Sequence, residues 1–286
     1  MEQGSGVYPR HSGWEVRVGT SWGKVNIELP SSMQAERHDE IAVLRLSRPE
    51  KRNAIGGEML LGIRLFFSNL ADDVKGVVLC GAGDNFSAGL DLSELSEKDA
   101  AEGAMLSREW HETFHHVQYS RAPVVAVLHG AVIGAGLELA SCAHIRVAEP
   151  STYYGLPEGQ RGIFLGGGGS MRLSRLIGVP RVFDLMMTGR TLNAQDGYLF
   201  GFAQYLVGEG EGIAKGLELS KRIATNAPLS NFAIIQALPR IAEMGPEEGL
   251  FTEAMVSGVV QGSVDAKERL KAFLEKRAAK VARPSV

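Results

Sequence analysis

Two glutamates stand where carboxylates are costly. Glu138 lies inside VVAVLHGAVIGAGLELASCAHI (124–145), an otherwise apolar run dotted with glycine. Burying an unpaired carboxylate costs several kcal/mol unless donors or a counter-charge meet it. Glu158 follows 20 residues later in YYGLPEGQRGIFLGGGG (153–169), again after a short apolar stretch and before a glycine-rich one. A carboxylate at such a turn can take or give a proton, and a free amide at the same turn can receive developing negative charge. A third turn, GDNFSAGLDL (83–92), follows another apolar segment and sets an Ala-Gly pair before a helix start. Converging on one cleft, the three would join an oxyanion-binding backbone to an acid/base pair. The plainer alternative is that Glu138 caps helix amides and Glu158 sits on a solvated loop.

Such turns need strands to lead into them and helices to follow. KGVVLCG (75–81), PVVAVLHG (123–130) and HIRVAE (144–149) read as strands, with helices near 57–71, 99–118, 135–143 and 168–177. KVNIEL (24–29) and IAVLRL (41–46) are expected to form a hairpin around the polar SSMQAERHDE, and residues 1–23 to be a loose, dispensable extension. From about residue 211 the pattern is helical throughout, so the chain reads as mixed α/β with a helical tail.

Composition narrows the classes. A chain of 286 residues can bury a substantial core as one large domain, or as one domain with an appended subdomain, and 44% hydrophobic and 22% charged residues are ordinary for a soluble globular protein. A formal charge of -3 offers no basic footprint for nucleic acid. No apolar run reaches the ~18 residues of a membrane span, and MEQGSGVYPRHSGWEV holds no export-signal core. Cys80 and Cys142 sit in apolar segments and read as reduced core residues, so the expectation is a soluble cytoplasmic protein.

Rival motifs fare less well. GAVIGAG (130–136) fits a dinucleotide-binding turn, but no tyrosine has lysine four residues on. His111, His115 and His116 share helical spacing without an acidic or cysteine partner, and read as a solvated or interface helix face. Gly166–Gly169 lacks the Gly-Lys-Ser/Thr of a phosphate loop and reads as a close-packed helix entry.

In order, LSRPEKRNAI (46–55), FSAGLDL (86–92), PVVAVLHGAVIGAGLELASCAHIRVA (123–148), YYGLPEGQRGIFLGGGGSMRLSRLIG (153–178), MTGRTLNAQDGYLFGFAQYLV (187–207) and AFLEKR (272–277) resemble the crotonases, the enoyl-CoA hydratase/isomerase superfamily. The resemblance spans about 37–280 and implies an α/β fold: a crotonase (ClpP-like) spiral of ββα units with a C-terminal helical region. It implies an extension over 1–36, a spiral core over 37–225 carrying the site, and a helical trimerisation region over 226–286. By the same resemblance, the amides of Leu90 and Ala135 form an oxyanion hole, Glu138 activates water and Glu158 exchanges the α-proton. Coenzyme A contacts fall at Arg52, Ala54, Ala88, Asp91 and Leu92, with Lys276 near the nucleotide, sometimes from a neighbouring subunit. No prosthetic group is implied; coenzyme A enters as part of an acyl-CoA thioester substrate. A homotrimer or hexamer is expected, without nucleic-acid or membrane partners.

The implied activity is hydration of a trans-2-enoyl-CoA. The alternatives are a double-bond isomerase, a hydroxycinnamoyl-CoA-type hydratase-lyase, or a non-catalytic CoA-binding homologue. Departures from the family pattern fall at Ala135 within the usual triple glycine, at His144 where aspartate is usual, and in the proline-free Phe164-Leu165-Gly166 loop.

Overall fold

The computed structural model describes Gly23 and residues 28–94 and 97–277, and the chain in it advances by repeated units. Strands β1 (Met33–His38) and β2 (Ile41–Leu46) lead to α1 (Gly57–Ser68), and β3 (Gly76–Gly81) leads to α2 (Ala100–Gln118). Next come β4 (Val124–Leu128) and β5 (Ala131–Ile133) with α3 (Ala135–Cys142). Then β6 (Ile145–Ala148) and β7 (Tyr153–Gly155) lead to α4 (Gly169–Ile177) and α5 (Val179–Thr188). After β8 (Thr191–Asn193), α6 (Ala194–Phe200) and β9 (Tyr205–Leu206), the rest is helical: α7 (Gly212–Ala224), α8 (Pro228–Gln236), α9 (Leu238–Ile241), α10 (Pro246–Gln261) and α11 (Val264–Leu274).

The main sheet has the order β1-β2-β3-β4-β6-β9, and a second sheet has the order β5-β7-β8. All pairings are parallel except β1 with β2 and β7 with β8. Continuous apolar runs mark the central strands because both faces are covered. Leu44, Leu79 and Ala126 face the large core that includes α1, α2 and α3. Val43, Val78 and Val127 face the other way, toward Ile213 and Leu217 of α7.

The hairpin differs from the expected one. IAVLRL pairs with MQAERH, inside the stretch read as its connection, and the turn is Asp39-Glu40 with Asp39 at φ 55°. Only Met33 of β1 is buried, so its polar sequence hides a strand that uses one face. Of KVNIEL, residues 24–27 lie outside the described residues, as does the extension before Gly23. Strands β5, β7 and β8 were not anticipated, since three residues are too few to show an alternation. The start of α2 is set by a reciprocal cap: Asp99 accepts from the Glu102 amide at 2.8 Å, and Glu102 from the Asp99 amide at 3.0 Å. Among the described residues no helix is long and apolar enough to cross a membrane.

Candidate active site

The loops after β3, β4 and β6 are laced together by their backbones. Phe86 N donates to His129 O at 2.8 Å, Ser87 N to Ala131 O at 2.9 Å, and Ile133 N to Ser87 O at 3.1 Å. Gly134 N continues the ladder to Gly155 O at 3.0 Å. Glycine permits the closest approaches: a Cβ on Gly136 would meet Ser87 O at 2.6 Å, and one on Gly89 would meet Ile133 O at 2.6 Å. Leu90 and Ala135 therefore come to the wall of one cavity, and neither amide has an acceptor among the described residues.

That cavity, about 480 Å³, is lined by Leu90, Ala135, Glu138 and Glu158, and opposite them by Leu106, Ser107, Trp110 and the 163–167 loop. Glu138 stands in the first turn of α3 and is only 3% exposed. Its Oε1 accepts from Gly167 N at 2.9 Å and Gly169 N at 2.8 Å. The glycine run is a close-packed helix entry as expected, and Glu138 is what it packs on. A Cβ on Gly169 would lie 2.6 Å from Glu138 Cγ, and one on Gly167 would lie 3.1 Å from Oε2. Burial raises the pKa of Glu138, opposed by the amides of Gly169 and Gly167 and by the nearby charge of Arg172.

Glu158 follows Pro157 at the start of a single 3-10 turn, 6% exposed. Its Oε1 lies over Gly134, where a Cβ would approach to 2.5 Å, and its buried Oε2 has no partner among the described residues. Burial, and secondarily the charge of Glu138, push its pKa up to about 7, against a hydrogen bond from its own backbone and the charge of Arg161. The cavity thus holds one carboxyl gripped by two amides and one with an oxygen unpartnered among the described residues, beside two uncommitted N–H groups. Such a site can hold an oxyanion and move protons on either side of it.

The other sequence-derived positions separate. Arg52 and Ala88 line a second cavity of about 210 Å³ with Ile133, Tyr153, Pro157 and Arg161, and Ile133 is two residues from Ala135 of the first. Asp91 is turned inward: its carboxylate meets Arg48 at 3.0 Å and Lys51 at 3.4 Å. Burial alone would raise its pKa, but hydrogen bonds from Ser93, Arg48 and Lys51 win and hold it at about 2. Asp91 therefore pins RPEKRNA to the AGLDL loop. Ala54, Leu92 and Lys276 line neither cavity, and Lys276 lies exposed beyond α11.

Other contributors escaped the sequence reading. Asn53, fully buried at φ 53°, accepts from Arg48 N at 2.8 Å and donates to Ala82 O at 2.8 Å and Asn85 O at 2.6 Å. Ser87 Oγ donates to Asn53 O at 2.8 Å and accepts from Gly89 N at 3.2 Å. Trp110 packs edge-on against Phe114, ring centres 5.5 Å apart. Leu106, Trp110, Phe114 and Val117 form the inward stripe of α2, a helical spacing that was there to be read, while His111 and His115 face outward.

Comparison with known proteins bears on the family and the fold. The family model for enoyl-CoA hydratase/isomerase matches residues 36–283. A short-chain-enoyl-CoA hydratase of Clostridium acetobutylicum is 30% identical over 245 residues, covering 85% of this chain and 94% of the relative. A crystal structure of a Rhodopseudomonas palustris protein superposes with a TM-score of 0.84 at 51% identity, over 86% of this chain and 96% of that one. An enoyl-CoA hydratase from Bacillus anthracis superposes with a TM-score of 0.81 at 28% identity, over 86% and 97%. With a family match across all the ββα units and a fold shared with solved hydratases, the chain belongs to the enoyl-CoA hydratase/isomerase family.

Proposed function

We propose that this chain adds water reversibly to the double bond of a trans-2-enoyl-CoA thioester. The observation that carries the reading is the meeting of Glu138, Glu158 and the free amides of Leu90 and Ala135 on one cavity. The two amides would hold the thioester oxygen as it gains enolate charge, an interaction stronger in the transition state than in the ground state. Glu138, whose anionic form two amides favour, draws a proton from water as it adds to Cβ. Glu158, whose pKa burial lifts to about 7, delivers a proton to Cα from its protonated form. The narrower cavity, with Arg52 and Arg161 on its walls, suits the coenzyme A end, because two cations answer its phosphates. Lys276 is left to act from a neighbouring copy.

A second reading is isomerisation of the double bond. One carboxyl that takes a proton from one carbon and returns it to another suffices for that, and the unpartnered Oε2 of Glu158 suits the task. Assembly as a trimer or a pair of trimers goes with either reading, supported by the exposed apolar side chains of α10 and α11. The two unpaired, buried cysteines suit the reducing cytoplasm. The deciding experiment follows thioester absorbance with crotonyl-CoA and cinnamoyl-CoA, and analyses the products of a 3-enoyl-CoA. Hydration lost in both E138Q and E158Q supports the hydratase; double-bond migration that survives E138Q supports the isomerase. Absence of turnover on every thioester would leave a non-catalytic CoA-binding protein.

A further inference from the structure

The glycine turn that holds Glu138 is itself held from another side. We propose that Arg172 is the residue that positions Glu138, acting through the backbone of Gly167 without touching the carboxylate or the substrate. The role as written rests on the hydratase reading above.

Arg172 stands in the first turn of α4, and its Nη1 donates to Gly167 O at 2.8 Å. It covers the turn closely, since a Cβ on Gly168 would lie 2.5 Å from that Nη1. Gly167 is thus gripped at both ends, its carbonyl by Arg172 and its amide by Glu138 Oε1. The guanidinium is anchored in turn. Its Nε donates to Gln118 Oε1 at 2.6 Å, Gln118 being the last residue of α2. The carbonyl of Gln118 is 3.0 Å from His144 Nε2, and His144 Nδ1 accepts from Val124 N at 2.8 Å. A ring that accepts at Nδ1 is neutral with its proton on Nε2, so it donates to Gln118. Hydrogen bonds linked through the covalent frames of His144, Gln118, Arg172 and Gly167 therefore run from the start of β4 to the Glu138 carboxylate.

The need for such a clamp follows from Gly166–Gly169. Four successive glycines have more backbone freedom than any other run of that length, and the amides of Gly167 and Gly169 converge on one oxygen in only a small part of it. Ser107 Oγ, which donates to Gly166 O at 2.7 Å, steadies the entry to the run; Arg172 fixes its middle. A rival explanation is that Arg172 acts only as a distant positive charge on Glu138. Lysine separates the two, because it keeps the charge but cannot fork between Gly167 and Gln118. Besides Arg172, the titrating groups that act on or are acted on by Glu138 are Glu158 from the β7–α4 connection, with Arg161 beside it, and Cys142 at the end of α3, while His111 and His115 of α2 lie near Arg172. All remain in the variants below.

The test measures kcat, KM and the 13C NMR titration of the Glu138 carboxyl in wild type, Arg172→Met, Arg172→Lys and Gln118→Met. Arg172→Met is expected to lower kcat by up to about 100-fold through misplacement of the base, with KM for the enoyl-CoA nearly unchanged. The Glu138 titration should move to higher pH, since amides that favour the anion are lost. Arg172→Lys should behave like Met, and Gln118→Met should shift both readouts less, in the same direction. Normal kcat with an unmoved titration in Arg172→Met, or full rescue by Lys, would overturn the proposal. Should Arg172→Met not fold, Gln118→Met decides on the same two readouts. A wild type without hydratase turnover would count against the function alone, and the titration would still decide on Arg172.

Discussion

Glu138 and Glu158 are buried to a similar degree yet solvated differently: two amides replace water for one oxygen of Glu138, and nothing replaces it for Oε2 of Glu158. Replacing either by glutamine keeps size and accepting capacity but removes the proton. Each change is expected to lower kcat for hydration by ~10²–10⁴-fold with a normal melting temperature for Glu138→Gln; a structural cap would instead lose stability and keep activity. The role proposed for Glu158 requires it to carry its proton, so kcat/KM should decline as pH rises past about 7, and that limb should vanish in Glu158→Gln. The same shift acts on stability. A carboxyl raised from 4.5 to about 7 favours the fold fully below 4.5 and loses that contribution as pH rises through 7. Glu158→Gln should therefore gain melting temperature over wild type between pH 5 and 8, measured by thermal scans. Both glutamates were legible because a carboxylate in an apolar, glycine-dotted run has few innocent explanations. Arg172 was not, because an arginine on an amphipathic helix looks the same whether it faces water or a site, and the spacing of Trp110 marks it as inward without saying that it walls a cavity.

At the scale of elements, the turn between β5 and α3 is the sensitive joint. Gly134 sits at φ 52° and ψ −122°, and a Cβ there would press on Glu158 Oε1. Gly134→Ala is expected to cost about 1–3 kcal/mol in backbone strain and also to slow turnover, by displacing Glu158. Gly162→Ala is the control for a strained turn alone: at φ 68° and ψ 21° it lies in the left-handed region, less strained for alanine than Gly134, and nothing lies within 4 Å of the added Cβ. It should lower the melting temperature and leave kcat intact, and equal kcat losses in both variants would refute the argument. The long helices and central strands were readable from periodicity, caps and unbroken apolar runs. Strand β1 was not, since five of its six residues stay partly or fully in water, and β5, β7 and β8 exist only through partners distant in sequence.

Over the whole molecule, the C-terminal helices carry an unspent apolar face. Phe251, Met255 and Val259 on successive turns of α10 are 67%, 54% and 65% exposed, and Leu270, Phe273 and Leu274 of α11 are similarly bare. So much contiguous apolar surface is rarely left to water by a monomer. Light scattering at micromolar concentration is expected to find a trimer or hexamer, and Val259→Glu a smaller species; a stable wild-type monomer would sink the expectation. That the tail is helical was plain from sequence, whereas its partners were not, because amphipathicity does not say whether a face meets its own core or another copy. The spiral also divides labour. One wall of the large cavity comes from α2 and the 163–166 loop, while Glu138, Glu158 and the amides of Leu90 and Ala135, to which the proposed chemistry falls, come from the laced turns after β3, β5 and β7. Phe164, 69% exposed at the rim, can be exchanged without disturbing that lacing. A lineage of such enzymes can therefore drift from one acyl group to another by substitutions at the rim, with its acid–base chemistry inherited intact.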